Sequence, residues 1–203
     1  MTAPGTIGHW RRYRVLYAVI ALCAAPVLAS YFAYYVMPPS GRSNYGTLLA
    51  PAPVPAQPLT TIAGQPFAFS QLEGRWVLVM AAAGACDPSC EDALLQMRQQ
   101  RLMTGKERDR VERVWLVTDG APVAVALQRD YEGTYFVRMP LAAARSMLPA
   151  AERDELTGQL WLVDPMGNVM LRWPPDPEPR RVKADLSRLL TASSHWVRVE
   201  RSN

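Results

Sequence analysis

The stretch from Trp76 to Arg101 constrains the fold of this sequence most strongly. It opens with an uninterrupted apolar run, Trp76–Ala83, and reaches two cysteines four positions apart, Cys86 and Cys90. A run without polar alternation is typical of a strand that is covered on both faces. Asp87-Pro88 lies between the cysteines and predicts a helix start, with Asp at the N-cap and Pro at the first helical position. The stretch therefore predicts a buried strand and a helix, with both cysteines near their junction.

The rest of the chain predicts alternating strands and helices. We expect a second buried strand at 113–119, a helix at 121–131, an extended piece at 134–137, a short helix at 141–148, a hairpin at 159–173 and a last helix at 181–192. A βαβ unit followed by a ββα unit resembles the thioredoxin arrangement. We therefore predict the α/β class and a thioredoxin-like fold, with a central mixed sheet flanked by helices.

An uncharged run of 22 residues, Val15–Val36, lies near the N-terminus. As a helix it would be about 33 Å long, close to the thickness of a bilayer core. Three arginines within residues 11–14 favour a cytoplasmic N-terminus. We expect residues 1–14 in the cytoplasm, a single transmembrane helix at 15–36 in a bacterial inner membrane, and the C-terminal domain in the periplasm. The alternative is a cleaved signal peptide, because Val27-Leu28-Ala29 resembles a cleavage site.

The net charge of +4 does not indicate a nucleic-acid-binding protein. Three of the 22 Lys and Arg residues precede the apolar run, so 19 remain against 18 Asp and Glu in the rest of the chain. Phosphate binding requires concentrated positive charge. We expect the membrane, and no nucleic acid, among the partners.

Residues 37–58 carry six prolines and predict an extended, semi-rigid linker. For the second half of this linker, an ordered arm along the domain is an equal alternative. The thioredoxin-like domain is expected at 59–192 and a C-terminal tail at 193–203. The charged segment 107–112 is expected to be a solvated connection.

Cys86 and Cys90 are the candidate catalytic, redox-active pair. Residues four apart on a helix lie about 6 Å apart along its axis, within the Cα separation of roughly 4.4–6.8 Å that a disulfide accepts. A helix N-terminus favours a thiolate, and a thiolate pair can exchange disulfides or bind Cu(I). An inert disulfide and two buried thiols are the structural alternatives. We expect Cys86, which is nearer the loop, to be the attacking sulfur.

The pattern resembles the Sco/SenC family, membrane-anchored thioredoxin-like proteins that assist assembly of the CuA centre of cytochrome c oxidase. The matching features are the anchor, Phe67–Trp76 before the strand, the Cys-x-x-x-Cys spacing, and Leu162–Asn168. The resemblance covers residues 59–190. It implies that Cys86 and Cys90 are redox thiols or copper ligands, and that the partner is an oxidase subunit or another assembly factor.

The sequence departs from that family at the third copper ligand, a histidine shortly before the Leu162 strand. Residues 150–159 contain no histidine, which leaves His195 in the tail and Met97 on the helix as candidates. Thr157-Gly158 stand where ordinary thioredoxins have a proline. Thiol exchange tolerates the loss of the histidine better than copper binding does.

We therefore expect a membrane-anchored Sco-like assembly factor for cytochrome c oxidase. It would act by thiol–disulfide exchange at Cys86 and Cys90, with Cu(I) transfer as a second activity, and would be an assembly factor or metallochaperone more than a turnover enzyme. The alternative is a non-catalytic thioredoxin-like interaction protein that docks on a respiratory complex.

Overall fold

The structure is a computed structural model that describes residues 7–36, 44–149 and 156–194. The chain forms two compact units, with the boundary after Ser43. His195, the candidate ligand in the tail, lies outside the described residues, as do residues 37–43 of the expected linker.

The first unit contains one long helix, α1 (Ile7–Val36). Its segment Tyr13–Ala33 has a mean hydropathy of 2.1 and is long and apolar enough to cross a bilayer, by length and composition. Among the described residues no other helix satisfies both criteria. The helix agrees with the predicted apolar run.

The second unit is built on a sheet to which eight strands contribute in the described part of the chain. The strands are β1 (Thr47–Pro53), β2 (Leu59–Thr61), β3 (Pro66–Phe67), β4 (Trp76–Ala82), β5 (Val111–Val117), β6 (Thr134–Arg138), β7 (Leu160–Val163) and β8 (Asn168–Trp173). The helices are α2 (Pro88–Met103), α3 (Val125–Asp130), α4 (Leu141–Met147) and α5 (Pro179–Ala192).

The strand order is β1-β8-β7-β4-β5-β6-β2-β3. Strands β4, β5 and β6 are parallel, and the other neighbours pair antiparallel. The mixed sheet with flanking helices confirms the predicted fold class. Parallel strands end at the same edge, so the loops after β4, β5 and β6 meet there; we call this the cysteine edge, because Cys86 follows β4. The registers place the end of β8 and the beginning of β1 at the same edge.

Strand β4 is buried on both faces of the sheet, as the unbroken apolar run predicts. All seven residues of β4 are buried, and alternate residues contribute to different cores. Leu78 and Met80 pack in the core that includes residues of α2 and α5, whereas Val77 and Val79 pack in the core that includes residues of α4. Alternation along a strand explains this division, since successive side chains point to opposite faces.

For the second half of the segment 37–58, the structure has the ordered arm, which is one of the two expected alternatives. Strand β1 is the outermost strand on one side of the sheet and pairs antiparallel with β8, with a register irregularity between Leu48 and Ala52. Proline has no amide hydrogen to donate, but an edge strand needs partners on one side only. The compact unit therefore begins at Asn44 rather than at residue 59.

The expected solvated connection at 107–112 is also corrected. Residues Gly105–Arg110 form a 3-10 helix, and Glu112 is a buried residue of β5. Arg110 donates hydrogen bonds to Leu190 O and to both Ser193 O and Ser193 Oγ, at distances of 2.9–3.0 Å. Ser193, assigned above to the tail, is 1% exposed and belongs to the domain.

Candidate redox site

The loop between β4 and α2 is held by the loop that follows β5. Gly84 N donates to Asp119 Oδ1 at 2.8 Å, and Ala121 N donates to the same oxygen at 3.2 Å. A side chain at Gly84 would collide with the carbonyl oxygen of Ala121. Arg138 at the end of β6 donates to Asp119 O at 2.8 Å and so joins the third parallel strand to the same cluster. Hydrogen bonds from the loop after β5 and from the end of β6 therefore hold the backbone that connects β4 to the cysteines.

Cys86 and Cys90 form a disulfide, with their Cα atoms 5.3 Å apart. The two sulfur-bearing residues differ in access, because Cys86 is half-buried whereas Cys90 is 0% exposed. The separation estimated from the sequence treats both cysteines as helical residues, but only one of them lies within α2. Cys86 lies before α2, and Cys90 lies in its first turn, so the disulfide spans the helix start.

Asp87 occupies the N-cap of α2, as the Asp-Pro pair predicted. Its side chain accepts a hydrogen bond from Cys90 N at 2.8 Å, and Pro88 follows at the first helical position. Because Asp87 occupies the N-cap, Cys86 is the residue that precedes the N-cap. The cysteine therefore lies beside a carboxylate as well as beside the helix terminus.

The first turn of α2 carries further negative charge. Glu91 and Asp92 are exposed next to Cys90. Burial raises the pKa of Tyr131 at the end of α3, and the carboxylate of Glu91 raises it further. A helix N-terminus stabilises a thiolate, whereas neighbouring carboxylates oppose it.

The loop before β7 packs directly on this turn. Gly158 has φ +78°, and a Cβ added there would lie 2.7 Å from Ser89 Oγ, between the two cysteines in sequence. A residue with a side chain would be strained by its backbone and would meet the serine. In the sequence, Thr157-Gly158 stands out only as a missing proline, but in the structure Gly158 lies against Ser89, which immediately precedes Cys90.

Met97 is the one other candidate copper ligand within the described ranges. Met97 is 0% exposed and packs in the core on the α2 side of the sheet, the ordinary place for a helix methionine. The described residues contain no group of three or more His, Cys, Asp or Glu side chains that could hold a metal ion. Cys23, the third cysteine, is exposed on α1 and unpaired.

Two kinds of comparison place the domain among known proteins. The family model described as transmembrane-like, thioredoxin-like, C-terminal domain matches residues 76–193. No curated protein matches the sequence.

Solved structures with the same fold include Sco proteins and a thiol–disulfide interchange protein. The apo Sco1 protein from Thermus thermophilus is 23% identical, with 72% of this chain and 97% of that chain covered and a TM-score of 0.55. Copper-bound ScoI from Bradyrhizobium japonicum is 19% identical, with 70% and 100% covered and a TM-score of 0.51. The thiol:disulfide interchange protein from Chlorobium tepidum TLS is 20% identical, with 71% and 97% covered and a TM-score of 0.50.

At these identities the likeness concerns the fold, and it agrees with the Sco/SenC resemblance at that level. The family model covers more than half of the chain, including β4, the cysteine pair and α5. The chain belongs to the family of transmembrane-like proteins with a thioredoxin-like C-terminal domain, and that domain has the fold of the Sco proteins.

Proposed function

We propose that this protein is a membrane-anchored, Sco-like assembly factor that exchanges disulfides through Cys86 and Cys90. The supporting observation is the unequal access of the two cysteines at the cysteine edge: Cys86 is half-buried and Cys90 is fully buried. A partner can reach one sulfur while the other is kept for the intramolecular step. An inert structural disulfide needs no such asymmetry.

The exchange proceeds in two balanced steps. In the reduced form, the Cys86 thiolate attacks a partner disulfide, forms a mixed disulfide and releases one partner thiolate. The Cys90 thiolate then attacks the Cys86 sulfur and releases the second partner thiolate. The partner disulfide is reduced to a dithiol, and the pair is oxidised to the Cys86–Cys90 disulfide. A dithiol protein that delivers two electrons restores the reduced pair by the reverse reaction.

Cu(I) transfer is the second proposed activity, and the ion would bind to the reduced form of Cys86 and Cys90. The donor set fits a two-coordinate site, because the Cα atoms of the cysteines are 5.3 Å apart and Cu(I) accepts two thiolates. The sequence has no histidine at 150–159, so the pair would release the ion readily. The copper-bound state of the Bradyrhizobium japonicum ScoI structure supports this proposal.

The proposed location is the periplasmic side of a bacterial inner membrane, with α1 as a single anchor. The three arginines at 11–14 support a cytoplasmic N-terminus, and an oxidising compartment allows the disulfide to persist. The proposed partner is a subunit of cytochrome c oxidase or another of its assembly factors.

The test uses the full-length protein in detergent. It carries Cys23→Ser, so that Cys86 and Cys90 are the cysteines that can react. With bis(2-hydroxyethyl) disulfide as substrate, Cys86→Ser should abolish exchange, whereas Cys90→Ser should accumulate the mixed disulfide on Cys86, measured by mass spectrometry. Accumulation on Cys90 instead, or equal loss of reaction in both variants without any mixed disulfide, would refute the assignment.

Two further measurements address copper and the rival function. In an anaerobic Cu(I) titration, the reduced pair should take up one equivalent that the double Ser variant does not; equal uptake removes the copper proposal. In cells that lack the native copy, the double Ser variant should fail to restore oxidase activity. Full restoration would favour a non-catalytic interaction protein.

A further inference from the structure

The short segment that carries Cys86, residues 83–86, has few polar contacts with the sheet. Strand β4 ends just before it, and the N-cap of α2 follows it. Within the described ranges, the segment forms one hydrogen bond, which Gly84 N donates to Asp119 Oδ1 at 2.8 Å. Its other noncovalent contacts are packing of Gly84 on Ala121 and of Cys86 on the core. The carboxylate of Asp119 is therefore the hydrogen-bond acceptor that ties this segment to the sheet.

Asp119 is itself held in a fixed orientation. The same oxygen accepts a hydrogen bond from Ala121 N at 3.2 Å, which closes a turn at 119–121. Arg138 Nη1, at the end of β6, donates to Asp119 O at 2.8 Å and to Ala121 O at 3.4 Å. The turn is thus attached to β6 as well as to β5, and the acceptor for Gly84 N has a defined position relative to the sheet.

The two cysteines differ in what holds them once the disulfide is open. Cys90 lies in the first turn of α2, is 0% exposed, and donates its backbone amide to the Asp87 side chain. Cys86 precedes the N-cap and is half-buried, and opening the disulfide removes its covalent link to Cys90. The hydrogen bond from Gly84 to Asp119 then remains, two residues away. The separation of the two sulfurs in the reduced protein therefore depends on Asp119.

We propose that Asp119 is a positioning residue of the redox pair, which holds Cys86 within reach of Cys90 after the disulfide has opened. The proposal rests on the exchange function and concerns its second step. In that step the Cys90 thiolate attacks the Cys86 sulfur of the mixed disulfide, the intramolecular disulfide forms, and the partner thiolate is released. Such a step is favoured by a high effective concentration of one sulfur at the other. Asp119 acts on this step through Gly84 and takes no part in the transfer.

The test measures that effective concentration in the full-length protein that carries Cys23→Ser. The protein is equilibrated with 2-mercaptoethanol and bis(2-hydroxyethyl) disulfide, free thiols are alkylated, and mass spectrometry counts the intramolecular and the mixed disulfide. Their ratio, multiplied by the thiol concentration, is the effective concentration. Asp119→Ala should lower it about tenfold, the factor expected for one hydrogen bond to a charged acceptor. Asp119→Asn keeps an oxygen acceptor and should stay within about twofold of the wild type.

The first step of exchange should respond differently, because attack on a free disulfide does not require a fixed distance between the two cysteines. In the Cys90→Ser variant, Asp119→Ala should change the rate of mixed-disulfide formation by less than about twofold. An effect of Asp119→Ala on this rate as large as its effect on the effective concentration would contradict a positioning role. Asp119→Asn with the same loss as Asp119→Ala would also contradict it, since the charge rather than the hydrogen bond would then be responsible.

Asp164→Ala is the matched control. Asp164 Oδ1 also accepts hydrogen bonds from two backbone amides, Met166 N at 2.9 Å and Asn168 N at 2.8 Å, but it does so in the β7–β8 hairpin. Its loss should lower the stability and leave the effective concentration within about twofold of the wild type. An unchanged effective concentration in Asp119→Ala, or an equal fall in Asp164→Ala, would overturn the proposal.

Gly84→Ala decides the question if Asp119→Ala does not fold. A Cβ at position 84 would collide with Ala121 O and push the segment away from the turn at 119–121. This variant should also lower the effective concentration, because the hydrogen bond to Asp119 cannot keep its length. A wild-type value in Gly84→Ala would overturn the proposal.

A second measurement is independent of disulfide exchange. It uses the variant with both Cys86→Ser and Cys90→Ser, in which the pair cannot react, and follows hydrogen exchange of the Gly84 amide by NMR. The amide should be protected, and Asp119→Ala should raise its exchange rate about tenfold, whereas Asp164→Ala should not. An unprotected Gly84 amide would refute the inference even if disulfide exchange proceeds. Protection that depends on Asp119 would support it even if the exchange function fails its own test.

Discussion

The two edges of the sheet differ in how the helix ends that lie there are held. At the edge opposite the cysteines, Ser193 Oγ accepts hydrogen bonds from Trp76 Nε1 and Arg110 Nη2, both at 2.9 Å, and donates to Leu189 O at 2.8 Å. At the cysteine edge, Glu91 and Asp92 in the first turn of α2 are exposed, and neither forms an ion pair with a described residue. Arg110 therefore ties the end of α5 to the edge opposite the cysteines, although its own Nε and Thr134 Oγ1 are buried there without a partner among the described residues. The first turn of α2 at the cysteine edge is instead open to solvent beside the half-buried Cys86.

The difference follows from what each edge must do. The opposite edge contains the C-terminal end of α5, whose last carbonyls have no intrahelical donors, and Arg110 supplies donors for them. The cysteine edge contains the N-terminal end of α2, where Asp87 satisfies one amide and leaves the rest of the turn open. The open turn is also the place of the one disulfide among the described residues.

The largest expected effect comes from releasing the end of α5 with Arg110→Met. Met keeps the length of the side chain but removes the bonds to Leu190 O, Ser193 O and Ser193 Oγ. We expect the free energy of unfolding to fall by about 2–4 kcal/mol, since bonds from charged donors are each worth roughly 1.5–3 kcal/mol and do not add fully. Chemical denaturation of the detergent-solubilised protein measures this.

Arg108→Met is the control for that variant. Arg108 lies two positions away with its side chain 61% exposed, and its ion pair with Asp109 has both members in solvent. Its loss should change stability by less than about 0.5 kcal/mol. Equal destabilisation by the two variants would mean that Arg110 does not hold the end of α5, and the contrast between the edges would fail.

A smaller effect is expected from Asp185→Asn, which frees the arm that enters the sheet at the cysteine edge. The carboxylate is 1% exposed and accepts hydrogen bonds from Tyr45 N at 3.0 Å, Gly46 N at 2.8 Å and Trp173 Nε1 at 3.1 Å. Asn turns an NH₂ group toward at least one of these donors. We expect a loss of about 2 kcal/mol and faster hydrogen exchange at the Tyr45 and Gly46 amides.

Asp109→Asn provides the matched change, because that carboxylate is 81% exposed. It should leave hydrogen exchange in the arm unaltered. If Asp185→Asn destabilises the protein but the amides of Tyr45 and Gly46 remain protected, the arm is held by the pairing of β1 with β8 instead.

Local patterns in the sequence predicted much of the fold. The unbroken apolar run predicted β4, and Asp87-Pro88 predicted the first turn of α2. The turn residues at 165–168 predicted the β7–β8 hairpin. Each of these signals acts within about ten residues. They also bring Cys86 and Cys90 together, so the core of the candidate site was predictable.

Partners distant in sequence were not predictable. Strand β1 contains prolines, which lower its strand propensity, and only pairing with β8 about 120 positions later makes it a strand. Arg110 lies in a charged run that indicates solvation, and its acceptors are 80 and 83 positions away. The loop at Gly158 meets Ser89 through a similar long-range contact. No local pattern encodes these contacts.

The smallest expected effect tests the chemistry of the open edge through Asp87→Asn. Asn is as good an N-cap as Asp, so the bond from Cys90 N is kept and the thermal midpoint should not change. The substitution removes a negative charge beside the disulfide, which favours the thiolate form of the reduced pair. A more stable reduced pair makes the disulfide more oxidising, so its reduction potential should rise by roughly 5–20 mV, as expected for one charge at a helix terminus. Equilibration with a glutathione buffer measures the shift. An unchanged or lowered potential would indicate that the carboxylate does not act on the sulfurs, and that helix capping is its whole role.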